Sequence, residues 1–178
     1  MKKSLLLLFL ALNCNLQAQG LEIGVSTTPS LGVGFGTFYD IRPMLCWGKS
    51  FNSKRRVRLD RTSMNLASYN GNTYFSMNTG LYFGQQWRKA VDDKFYFIHG
   101  PEVGTNYYQG SNYHSNTFSA HYRVGALFRV NDRFSITLES PISIQHSISV
   151  NGNDETSTSS ALYVFNNSNL MSFTYTLK

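Results

Sequence analysis

Along most of this chain apolar and polar residues exchange places at every step, a period of two that predicts β-strands with two chemically different faces. Between Tyr74 and Arg88, Phe75, Met77, Leu81, Phe83 and Trp87 share one face; Ser76, Asn78, Gly80, Tyr82, Gly84, Gln86 and Arg88 share the other. From Lys94 to Tyr108 the apolar set is Phe95, Phe97, Pro101, Val103 and Tyr107, opposite Tyr96, Gly100, Glu102, Gly104 and Asn106, with Ile98 out of phase. Thr117 to Val130 sets Phe118, Ala120, Tyr122, Val124, Ala126 and Phe128 against Ser119, His121, Arg123, Gly125 and Arg129. Phe134 to Ile148 sets Phe134, Ile136, Leu138, Ile142 and Ile144 against Ser135, Thr137, Glu139, Ser143 and Gln145. Met171, Phe173, Tyr175 and Leu177 mark a terminal strand.

Two further strands are read around Leu21 to Ser26 and Tyr39 to Gly48, where Asp40 and Arg42 fall on the polar face. Another lies between Val57 and Tyr69, where Val57 and Leu59 change parity to Met64 and Leu66, which predicts a bulge or an irregular start. The total is eight strands. Short links are read at Ala90 to Asp93 and Asn131 to Arg133, and long polar loops at Gln109 to Asn116 and Asn151 to Asn169. Short turns on one rim and long loops on the other are expected of an outer-membrane barrel.

Only 15% of the residues are charged and 15% are aromatic, which disfavours disorder and a charged coiled coil. Mean hydropathy is -0.26. Beyond the N-terminus no run reaches the roughly 18 apolar residues of a membrane helix. Lys2, Lys3 and the apolar stretch Ser4 to Leu12, before Leu16-Gln17-Ala18, read as a signal peptide over residues 1–18, leaving 19–178 as one barrel domain. Cys14 invites a lipoprotein reading, but the residue before a lipidated cysteine is normally small and Asn13 is not, so simple removal of the leader is expected. Cleavage would remove Lys2 and Lys3, taking the formal charge from +6 to +4, and leave Cys46 as the single thiol, read as buried packing.

A soluble lipocalin-like carrier also alternates, but turns its apolar face inward. Here the polar face holds Glu22, Asp40, Arg42, Arg88, Glu102, His121, Arg123, Arg129 and Glu139, a suitable filling for a narrow lumen. Trp47, Trp87, Phe95, Phe128 and Phe134 gather near the short turns as an interfacial girdle. With these features the chain resembles, over its whole mature length, the small Gram-negative outer-membrane β-barrel proteins of the OmpA and OmpX type, a porin-like class. The resemblance implies an all-β, eight-stranded antiparallel up-and-down transmembrane barrel in the cell outer membrane. It also implies contact with outer-membrane lipid and with the insertion machinery that reads the terminal strand. Leu177-Lys178 replaces the aromatic ending common in that class.

Inward charges in so narrow a barrel must neutralise one another. The expected lumen network is Arg123 between Glu102 and Glu139, with Arg42 and Glu22 as a second pair. Lys49 to Arg56, with Arg58 and Arg61, is a dense basic patch read as a solvated turn or a contact with lipid phosphates. Tyr107, Tyr108, Tyr113, Tyr163 and Phe165 are candidates for recognition of an extracellular ligand or surface by the loops. His114-Ser115-Asn116 resembles, with one spacer missing, the active-site motif of outer-membrane lipid A deacylases, and Ser119, His121 and Glu139 all face inward. A lipid hydrolase is therefore the enzymatic alternative to a non-enzymatic protein of envelope integrity or surface recognition. Paired metal spacing, a phosphate loop and a dinucleotide motif are absent from the sequence, so no metal, no cofactor and no nucleic acid are expected, and a monomer is.

Overall fold

The computed structural model describes residues 20–27, 41–60, 63–69, 72–152, 155–164 and 169–177. The signal-peptide reading and the calls on Cys14, Asp40, Arg61 and Phe165 lie outside the described residues. Within them the chain forms ten strands: β1 (Leu21–Thr27), β2 (Arg42–Ser50), β3 (Ser53–Leu59), β4 (Ser63–Tyr69), β5 (Asn72–Ala90), β6 (Phe95–Gly110), β7 (Tyr113–Arg129), β8 (Phe134–Asn151), β9 (Thr156–Val164) and β10 (Leu170–Leu177). All pair antiparallel in the order β10-β1-β2-β3-β5-β6-β7-β8, and β10 pairs with β8 to close the ring. The ring therefore has eight positions, filled by ten strand segments.

Two positions are occupied by broken strands. β3 and β4 both pair with β5, but between Leu59↔Leu81 and Ser63↔Asn78 the β3/β4 side carries one extra residue. One residue is what the parity change from Leu59 to Met64 requires, because an inserted residue moves every later side chain to the opposite face. β9 and β10 likewise share β8. Between Val164↔Ile142 and Leu170↔Glu139 their side carries three extra residues.

Both long-loop readings need correction. Gln109 to Asn116 is no loop: β6 and β7 pair up to Gly110↔Tyr113, leaving Ser111 and Asn112 as the turn. Within Asn151 to Asn169, Thr156–Val164 is strand β9, paired with β8 from Ile142 to Val150. Both faces of these segments are mostly polar in sequence, so neither alternates in hydrophobicity, and the period-two signal vanishes where the ladder continues.

At the opposite rim lie the turns at 51–52, 91–94 and 130–133, together with Leu21 and Leu177, the paired ends of β1 and β10. Side chains brace two of these turns. Asp92 Oδ1 accepts from the amides of Lys94 and Phe95 at 2.8 and 2.7 Å, and Asn131 Oδ1 from those of Arg133 and Phe134 at 2.9 Å each. Glycines bring strands close: a Cβ on Gly125 would lie 2.0 Å from the carbonyl oxygen of Leu138.

Packing is inverted relative to a water-soluble domain. Phe83, Val103, Phe118, Leu138 and Ile144 are all about half exposed or more on the outer wall. Lys54, Arg56, Arg58, Glu102, Arg123 and Glu139 are each 2% exposed or less, inside. Such charges stay ionised in an interior only when paired and hydrogen-bonded. Among the described residues no helix is long and apolar enough to cross a membrane.

Candidate functional site: the charged lumen

The interior is organised around three carboxylates on three strands. Glu102, on β6, receives Arg123 Nε at 2.6 Å and Arg58 Nη2 at 3.1 Å on Oε2, while Arg56 Nε lies 3.3 Å from Oε1. The last contact is ionic without the alignment of a hydrogen bond. Glu139, on β8, accepts from Arg56 Nη1 at 2.6 Å and from Gln86 Nε2 at 3.3 Å. Glu22, on β1, is gripped in bidentate fashion by Arg88 at 2.8 and 2.6 Å, with Lys54 Nζ 3.6 Å away.

These groups join into one network. Arg88 Nε donates to Gln86 Oε1 at 2.8 Å, which links the Glu22 cluster to Glu139. Arg56 bridges Glu139 to Glu102, and Arg58 carries the chain on to Asp60 at 3.2 Å, where Arg42 joins at 3.0 Å. Lys54 Nζ also donates to the Gly20 carbonyl at 2.5 Å. Below, Phe51 in the β2–β3 turn puts its ring under the guanidinium groups of Arg88, 4.7 Å away, and Arg129, 5.2 Å away, and meets Tyr96 edge-on at 5.0 Å.

Of the expected network, the structure brings Arg123 to Glu102. It gives Glu139 to Arg56, although Glu139 stands opposite Gly125 and so diagonally from Arg123. The expected Glu22–Arg42 pair does not form. Glu22 faces Arg88 and Lys54 near the short-turn end, whereas Arg42 sits with Asp60 farther along the ring. The register explains it: Glu22 pairs with Cys46, and Arg42 with Ser26 four residues on.

The basic patch is also corrected. Lys54, Arg56 and Arg58 alternate along β3 into the lumen, while Arg55 between them is exposed outside. A period-two reading of Lys54, Arg56 and Arg58 against Val57 and Leu59 would have found them; the density of charge disguised a strand as a turn. Cys46 is buried at 1% exposure on the inner face of β2.

The candidate hydrolase residues do not assemble a triad. His114 is exposed while Ser115 is buried, as adjacent strand residues point to opposite faces, and Ser115 Oγ accepts from Ser149 Oγ at 3.2 Å. Ser119 and His121 line one cavity, but Glu139 is engaged by Arg56 and Gln86 and is absent from that lining. Among the described residues no group of His, Cys, Asp or Glu is placed to hold a metal ion.

The recognition candidates lie on strands. Tyr107 and Tyr108 are on β6 and Tyr113 on β7; the Tyr108 and Tyr113 rings stand 5.9 Å apart. Tyr113 donates to Ser149 Oγ at 2.8 Å and Tyr107 to Gln109 Oε1 at 3.2 Å. Tyr163 lies on β9, opposite Ser143, far along the chain from the hairpin tip.

No family model and no curated protein sequence matches the chain. Among the solved structures it is similar to are three outer-membrane proteins or surface proteins, each at 10% identity. Against a major outer membrane protein from Thermus thermophilus the TM-score is 0.43, covering 89% of this chain and 98% of that one. For CarO of Acinetobacter baumannii the values are 0.37, 92% and 98%. For Ail, the attachment invasion locus protein of Yersinia pestis, they are 0.36, 89% and 97%.

Proposed function

We propose that this chain is a non-enzymatic barrel of the bacterial outer membrane. In this reading its lumen is closed by the charge network and its projecting strands act in recognition at the cell surface. The observation that carries it is the inverted wall, with aromatic and aliphatic side chains outside and five cations locked onto three glutamates inside. On β7 the outward apolar series runs from Phe118 to Phe128. Ten steps of about 3.3 Å, tilted by about 40°, span about 25 Å, the height of the apolar band of such barrels. Beyond Phe118 the outward residues on β7 are Asn116 and His114, so the greasy belt ends where the strands continue into water.

A soluble carrier of apolar ligands would need a greasy interior, and the interior here is ionic. Recognition is supported by the exposed tyrosines at the end of β6 and β7, where paired backbone holds aromatic rings at low entropic cost. Outer-membrane fractionation with heat-modifiable gel mobility is the expected result, and recovery as a free periplasmic protein would defeat the membrane reading. Tyr108→Ser with Tyr113→Ser should lower binding of whole cells to host or abiotic surfaces while the barrel remains folded. Hydrolysis of lipid A or phospholipid by the purified protein, abolished by His121→Ala or Ser115→Ala, would overturn the non-enzymatic reading.

A further inference from the structure

Above the Glu102 layer the lumen opens into a cup of about 330 Å³, with Arg58, Tyr82, Ser119, His121, Arg123 and Gln145 among its lining. Its floor is made by β7 and its neighbours: Ser119, His121 and Arg123 are successive inward residues of one strand. Its rim is half-buried at Asn106, Thr117 and Gln145, so solutes enter from the side of the β6–β7 hairpin.

The groups around this cup are buried and only partly used. Arg123 gives its Nε to Glu102, yet its Nη1 has no hydrogen-bond partner, and the residue is 2% exposed. His121 is 7% exposed with neither ring nitrogen hydrogen-bonded, and its ring rests 5.4 Å from that of Tyr82. Arg58 is pinned between Glu102 and the face of Tyr82, 4.6 Å from the ring centroid. Buried polar groups of this kind ordinarily have partners, and two adjacent residues with free donors facing one cavity are what a bound acceptor would satisfy.

Charge gives the sign of that acceptor. Among the described inner residues Lys54, Arg56, Arg58, Arg88 and Arg123 face Glu22, Glu102 and Glu139, five cations against three carboxylates, while Arg42 and Asp60 offset each other at the rim. The positive excess is felt most strongly where burial of the paired charges lowers the local dielectric. We propose that the cup binds a small oxyanion from solution, a carboxylate or a phosphate, seated on Arg123 Nη1 and the His121 ring. Arg58 would supply the field and Ser119 and Gln145 neutral hydrogen bonds. Guanidinium donors in a fixed fork match either oxyanion. A lipid headgroup is disfavoured as its source, because the continuous ladder from β5 to β8 walls the cup off from the surrounding bilayer.

The test is an amide NMR titration of the full chain, refolded in zwitterionic micelles, with inorganic phosphate and with acetate against chloride at constant ionic strength. Saturable shifts centred on Ser119, His121 and Arg123 are expected, with half-saturation at about 1 to 10 mM. Ser119→Leu fills the cup and Gln145→Leu removes the amide that would bond the anion, neither removing an ion pair; in either, half-saturation should rise by about tenfold or more, equivalent to the loss of one well-made charge-assisted contact. Linear, unsaturating shifts, or saturation confined to rim residues, would show a merely water-filled cup and overturn the proposal. So would unchanged binding in a folded Gln145→Leu variant. Phosphatidylglycerol added to the micelles should leave the Ser119 and His121 shifts unmoved; if it reproduces them, the solute source is refuted.

Discussion

Glu102 and Arg123 lie on neighbouring strands two residues out of direct register, Glu102 facing His121 and Arg123 facing Gly100, and hold Oε2 and Nε 2.6 Å apart. The diagonal offset lets a long guanidinium reach along the strand, while Gly100, across from Arg123, lets β5 approach closely: a Cβ there would lie 1.8 Å from the Gln85 carbonyl oxygen. Because Glu102 also neutralises Arg58 and lies beside Arg56, it is the residue on which the most cations depend.

Glu102→Gln should therefore be among the most damaging single changes in the lumen. It preserves volume but leaves three buried guanidinium groups short of charge, a defect of about 3 to 5 kcal/mol for a desolvated pair. Urea unfolding in micelles or bilayers, followed by tryptophan fluorescence, measures it. A loss below about 1 kcal/mol would mean that water screens the network.

Ala120 points outward from β7, exposed between Phe118 and Tyr122. In a lipid-facing wall Ala120→Arg, two residues inside the Phe118 end of the belt, should cost about 1 to 2 kcal/mol, between the interface and midplane values. The same change on a wall facing water stays within about 0.5 kcal/mol. Equilibrium folding into phospholipid vesicles separates the two.

The Asp92 turn lies outside the apolar belt. Two backbone amide hydrogen bonds, from Lys94 and Phe95, pull its carboxyl below the ordinary value. A depressed folded value means that the carboxylate stabilises the hairpin above the unfolded pKa, and that this contribution fades as pH falls through the folded one. Carbon-detected NMR titration should place the Asp92 midpoint below 3.8. Asp92→Asn should keep the turn but remove that acid dependence, whereas Asp92→Ala should loosen it at all pH values.

Cys46 tests closure of the lumen. Its thiol faces inward near Glu22 and Arg56 at 1% exposure. A bulky maleimide should fail to label the folded protein and react fully after denaturation. Prompt labelling of the folded barrel would indicate a solvent channel reaching β2.

The alternating pattern by itself determined the strands that cross the belt, because there one face meets charge and the other grease. Phe118, Ala120 and Tyr122 against Ser119, His121 and Arg123 divide β7 into two faces in one way, and the charges on the second face mark it as the inner one. The Leu59 to Met64 parity change likewise disclosed a bulge of one residue, since register and face are coupled. β9 could not be read that way: Thr156-Ser157-Thr158-Ser159-Ser160 has no greasy side, and only its ladder with β8 makes it a strand. Nor could the partners of the lumen charges be read. Alternation assigns Glu22, Arg88 and Glu139 to the inside, whereas Arg56 reads as part of a basic turn, and which of them meet depends on the stagger of strands distant in sequence and on ring closure through β8 and β10. Those quantities set the height of each side chain in the lumen, and so only the tertiary structure joined Glu22 to Arg88 and Glu139 to Arg56.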